Sequence, residues 1–151
     1  MSRLASGRLL AFFAVAILWQ LVASAAEPVS FLNDIEPILT RFACNSGGCH
    51  GKLAGQNGFR LSLRGYAPEL DFPELARDGQ ARRVNPLAPE TSLLVRKGAG
   101  AVPHGGGRRL AVGSRAHATL VEWIRQGMPG PDPKEARPRA LAIAPPAATL
   151  A

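Results

Sequence analysis

Apolar side chains cluster in three stretches of the chain that are expected to be helical. Phe31, Ile35, Ile38, Leu39 and Phe42 share one face of a helix expected over residues 27–43. Asn33 or Asp34 is placed to cap its start, which puts Pro37 in the first turn, where proline is tolerated. A second helix opens at Pro89-Glu90-Thr91, carries Leu93, Leu94 and Val95, and stops at Gly98. The third runs from a Ser114 cap through Gln126, buries Leu120, Val121, Trp123 and Ile124, and ends at Gly127 and Pro129. Asp71 with Glu74 has the spacing of a capping box and predicts a further short helix through Asp78.

Between these helices the pattern is irregular. Phe59, Leu61 and Leu63 alternate with Arg60, Ser62 and Arg64, as in a strand. The run is short and has no evident pairing partner, so an extended loop is expected there. Residues 85–89 form a turn-rich connector, and Val102-Pro103-His104-Gly105-Gly106-Gly107 is a loop that no regular element would contain. The expected fold is all-α: short helices and long loops over residues 27–130, with no internal repeat.

The ends of the chain differ from this body. Arg3 and Arg8 precede a mostly apolar run from Leu9 to Val22, and Ala23-Ser24-Ala25 suits a cleavage site. The run is shorter than the ~20 residues of a spanning helix and is interrupted by Gln20. Residues 1–26 therefore read as a signal peptide that directs the chain to the periplasm or outside the cell; a membrane association requires that it stay uncleaved. Residues 131–151 are rich in proline and alanine and read as a tail.

Loss of residues 1–26 changes the charge balance. Two of the 18 basic side chains leave and all 11 acidic ones stay, for a net +5. Arginines are scattered singly or in pairs, with little aromatic interleaving, which does not favour nucleic acid as a partner. A mildly basic surface suits electrostatic steering of an acidic redox partner protein.

Candidate chemistry concentrates in Cys44-Asn45-Ser46-Gly47-Gly48-Cys49-His50, which holds both cysteines. It is a variant of the Cys-x-x-Cys-His signature of c-type haem attachment, with four intervening residues in place of two. Two thiols can form thioethers to the haem vinyl groups, and the adjacent histidine then serves as the proximal iron ligand. Ser46-Gly47-Gly48 is expected to bend the extra residues out of the way, glycine being tolerant of left-handed backbone. In an exported chain the same cysteines could instead form a disulfide, a reading that leaves His50 without a role. A covalent haem would also supply apolar surface to a domain whose own core is small.

Several segments together resemble the planctomycete-type cytochrome c domain. Residues 29–39 (VSFLNDIEPIL), the cysteine–histidine stretch with Gly51, Pro89-Glu90-Thr91-Ser92-Leu93-Leu94, Val102-Pro103-His104-Gly105-Gly106 and residues 120–127 (LVEWIRQG) follow one another as in that family, over about residues 28–130. The resemblance implies a cytochrome c-like fold around one covalent haem c, with Cys44 and Cys49 as thioether cysteines and His50 as proximal ligand. Such domains often head large secreted multidomain proteins, and residues 139–145 look like the first strand of an immunoglobulin-like module.

Many family members carry a methionine ligand where this chain has Val102-Pro103-His104, so the resemblance makes His104 the candidate distal ligand. Met128, the one methionine of the mature chain, is the second choice, and an open sixth site the third. His117, near the start of the last helix, is expected at the surface or half-buried. A zinc site from Cys44, Cys49, His50 and His104 has suitable ligand types, but the adjacency of Cys49 and His50 makes a closed tetrahedron awkward. No serine–histidine–acid set, paired-carboxylate motif or phosphate loop stands out. The expected function is electron transfer rather than catalysis, with a haem domain of a larger redox enzyme and a disulfide-stapled binding module as the alternatives.

Overall fold

The computed structural model describes residues 27–140 and 142. The signal segment and most of the expected immunoglobulin-like strand lie outside them. The described residues form helices joined by long loops, with no strand beyond an isolated bridge between Gln56 and Phe59. The fold class is all-α. No helix among the described residues is long and apolar enough to cross a membrane.

Four α-helices carry the fold: α1 (Glu36–Arg41), α2 (Pro68–Ala76), α3 (Leu93–Gly98) and α4 (Arg115–Arg125). A π-helical turn, Phe31–Ile35, leads into α1. The cap of this entry is Ser30, not Asn33 or Asp34: Ser30 Oγ accepts from Asn33 N, and Ser30 N donates back to Asp34 Oδ2. The wide turn has a local cause. Pro37 has no N–H to give and its ring crowds the carbonyl four residues back, and the chain opens to a bond from Glu36 N to Phe31 O.

The helix expected from Asp71 starts earlier, at Pro68, because proline suits a first helical turn. Asp71 does not cap it. Its buried carboxylate accepts from both Ser62 N and Ser62 Oγ at 2.5 Å, tying the Leu63–Gly65 3-10 turn to α2. The second expected helix is divided into a 3-10 turn at Pro89–Thr91 and α3. Helix α4 matches its expectation, from the Ser114 cap, which accepts from His117 N, to the left-handed Gly127 at φ 81°.

Phe31, Phe72 and Trp123 meet at the centre, with ring centroids 5.4 to 6.5 Å apart. Ile35, Leu39, Leu75, Val95, Leu120 and Ile124 pack around them. Val29 N donates to Gln126 Oε1 at 2.8 Å, and Gln126 Nε2 donates to Glu27 O at 3.1 Å, so the entry to α1 is laced to the end of α4. The tail crosses this end as well, where Ala136 O accepts from Asn33 Nδ2.

Candidate haem-binding cavity

The chain leaves α1 through a Schellman motif. Cys44 N donates to Leu39 O at 2.8 Å and Ala43 N to Thr40 O at 3.1 Å, with Ala43 left-handed at φ 59°. Cys44 is thus set directly by the helix end. The left-handed residue of the stretch is Ala43; neither Gly47 nor Gly48 has positive φ, and open space surrounds the position of a Cβ on each. The expected glycine bend is replaced by turn bonds: Cys49 N and Gly51 N both donate to Ser46 O, and His50 N donates to Cys44 O. The glycine that packing demands is Gly51, whose Cβ would stand 2.0 Å from Asn45 O. Asn45 is itself buried and donates through Nδ2 to Thr40 Oγ1.

The expected extended loop serves as a clamp on His50. Its Phe59 carbonyl accepts from His50 Nδ1 at 3.1 Å, Leu61 N donates to His50 O, and the Phe59 ring lies 4.4 Å from the imidazole. Burial, the largest influence, lowers the His50 pKa; the Phe59 carbonyl opposes this, while His104, Arg83 and Lys97 reinforce it. Burial thus favours the neutral imidazole, the form a metal ligand needs, and with Nδ1 bonded to Phe59 O the lone pair is left on Nε2.

His104 is held in a similar way. Its Nδ1 bonds Gly107 O at 3.0 Å, Gly107 N returns a bond to His104 O, and Lys97 Nζ on α3 donates to Pro103 O at 2.8 Å. The far end of the loop is fastened where Arg109 N and Leu110 N both donate to Gly98 O. Gly106 lies under the ring, and a Cβ there would come within 3.1 Å of His104 Cε1.

These supports bring His50 and His104 together across 54 residues. Their ring centroids are 6.2 Å apart and their planes 9° from parallel. Both rings line a cavity of about 750 Å³, as do Cys44 and Cys49. Both cysteines are free thiols, and Arg109 Nη2 donates to Cys49 Sγ at 3.8 Å. Burial, joined by the charge of Cys49, pushes the Cys44 thiol up to about 11 against the pull of Arg109. Leu39, Leu61, Leu93 and Leu94 give the cavity apolar walls. Arg82, Arg83, Lys97 and Arg109 give it four cations, and no carboxylate lines it.

Met128 is placed elsewhere. It follows Gly127 in a second Schellman motif, bonds Trp123 O through its N–H, and packs on the core instead of lining the cavity. His117 lies in the first turn of α4, also away from the cavity. Among the described residues, no three His, Cys, Asp or Glu side chains come together to hold a metal, so the four-residue zinc arrangement is not formed. No protein-family model, curated protein or solved structure matches this chain.

Four contributors to the cavity were not singled out from the sequence: Phe59 as a bond acceptor to His50, Lys97, Arg83 and Arg109. The pattern Phe59–Leu63 drew attention only as a strand-like alternation. The basic residues looked like ordinary surface charge because nothing local marks their convergence.

Proposed function

We propose that this chain is an exported c-type cytochrome domain. It carries one haem c on Cys44 and Cys49, with His50 and His104 as axial ligands, and passes electrons to or from a redox partner protein. The observation that carries this reading is the histidine pair. Metal–imidazole bonds of ~2 Å on opposite sides of one ion place ring centroids about 6 Å apart, and these centroids stand 6.2 Å apart. His50 and His104 are the two histidines that line the cavity among the described residues, matching the two positions a porphyrin leaves open on its metal.

The rest of the cavity fits the same group. Its thiols are free for thioether formation, its walls are apolar, and its cations suit a ligand with peripheral carboxylates. The bound haem would supply reversible one-electron chemistry. The chain's own residues set the conditions for it. Phe59 O and Gly107 O orient the two imidazoles by holding Nδ1, which raises ligand basicity. The leucines exclude water on the inner side, and the four cations favour the reduced, less positive state. Histidine–histidine ligation works in the other direction, giving a lower potential than histidine–methionine ligation. The cytochrome c-like fold and the family resemblance of residues 28–130 belong to this proposal.

The ligand assignment is tested by absorbance of the haem-loaded protein. His104→Ala is expected to turn the oxidised iron high-spin, whereas Met128→Leu leaves it low-spin. A low-spin spectrum unchanged by His104→Ala would overturn His104 as the ligand.

A further inference from the structure

No carboxylate lines the cavity to balance its four cations, and Arg83 is the most buried of them. This residue is only 7 % exposed. Its Nη1 donates to Glu74 O at 2.8 Å and Asp78 O at 2.9 Å, and its guanidinium lies 4.5 Å over the Phe59 ring. Its own carbonyl accepts from Leu94 N, fixing the backbone to the start of α3. The side-chain contacts hold the guanidinium in place, and none supplies an anion. Among the described residues no carboxylate lies within 4.0 Å of Arg83; the ion pairs are those of Arg125 with Glu90 and Glu122.

A buried cation is unfavourable without an anion close by, because its charge has left water without a compensating partner. Burial is the main influence on the Arg83 guanidinium, acting against its charge together with Arg82; the more distant Glu74 and Asp78 favour the charge. The Phe59 ring contacts both Arg83 and His50, and the charge of Arg83 acts on the imidazole. A ligand that presents a metal to His50 and a peripheral carboxylate to Arg83 satisfies both groups at once.

We propose that Arg83 is the anion-recognition residue of the cavity and that its guanidinium pairs with a carboxylate of the bound planar group. The identity of that group rests on the haem reading, under which the carboxylate is a propionate. Phe59 then works on both sides, seating the guanidinium on one face and the ligand histidine beside it.

The test separates the two claims. The apo-protein is titrated with protoporphyrin IX and with its dimethyl ester, whose carboxylates are blocked, following porphyrin absorbance. The parent chain is expected to bind the diacid roughly 10- to 100-fold more tightly than the ester, the worth of a charge-assisted bond. Arg83→Gln should abolish that preference, and Arg83→Lys should restore part of it. Equal binding of diacid and ester by the parent, no binding of either, or an undiminished preference in Arg83→Gln overturns the assignment. The ester comparison on the parent needs no variant to fold. Covalent loading of the parent during expression with cytochrome c maturation machinery is scored separately. A parent that prefers the diacid yet never gains thioether-bound haem overturns the haem c reading and leaves Arg83 as an anion site.

Discussion

His50 and His104 are held by backbone carbonyls that no local sequence pattern reveals. His50 stands out in the sequence because it adjoins Cys49, and His104 because a loop histidine stands where the family resemblance places a methionine. Their partners, Phe59 O and Gly107 O, depend on how two loops close over the cavity. Gly106 gives a direct check on that closure. A Cβ there enters the space of the His104 ring, so Gly106→Val is expected to raise the high-spin fraction of the oxidised haem protein, read by absorbance. An unchanged spectrum would show that the loop moves aside freely. Ala43 offers a second test at this scale. A left-handed non-glycine residue is strained by about 1–2 kcal/mol, part of which glycine returns through its greater unfolded-state entropy. Ala43→Gly should therefore stabilise the chain by about 0.5–1 kcal/mol in urea denaturation without altering the site.

Among the elements, α4 was legible in full because its cap, apolar face and glycine stop agree with one another. The entry to α1 was legible as a helix, but its cap was misplaced because Ser30, Asn33 and Asp34 are all good cap residues and the widened turn at Pro37 favours Ser30. Asp71 was misread for a related reason. An acidic residue near a helix start resembles a cap, whereas this one is drawn inward by Ser62. Its burial has a consequence for Glu36, 6 % exposed, neither of whose carboxyl oxygens has a hydrogen-bond partner. Burial, with the charge of Asp71 beside it, pushes Glu36 from 4.5 up to about 8. The native chain then keeps a proton that the unfolded chain releases. The stability tied to this proton is fully present below pH 4.5 and is lost as pH rises to about 8. Glu36→Gln, which mimics the neutral acid, should match the parent near pH 5 and exceed it near pH 8 by a few kcal/mol in order of magnitude. Parallel stability curves for the two proteins in urea would contradict this account of Glu36.

At the scale of the whole molecule, the helices pack a small aromatic core and hand the two cysteines, two histidines and four cations to a single cavity. The all-α class was readable from periodicity. The cavity was not, because it is assembled from residues 39 to 109 with no shared period, and its charge emerges only when Arg82, Arg83, Lys97 and Arg109 converge. Covalent haem in this cavity is checked by expressing the chain from residue 27 with cytochrome c maturation machinery and recording the intact mass and the pyridine haemochrome spectrum. A mass gain of one haem and the spectrum of a haem bound through two thioethers are expected, both lost in the Cys44→Ala, Cys49→Ala double variant. A folded chain that emerges at its apo mass, with no haemochrome band, would contradict it.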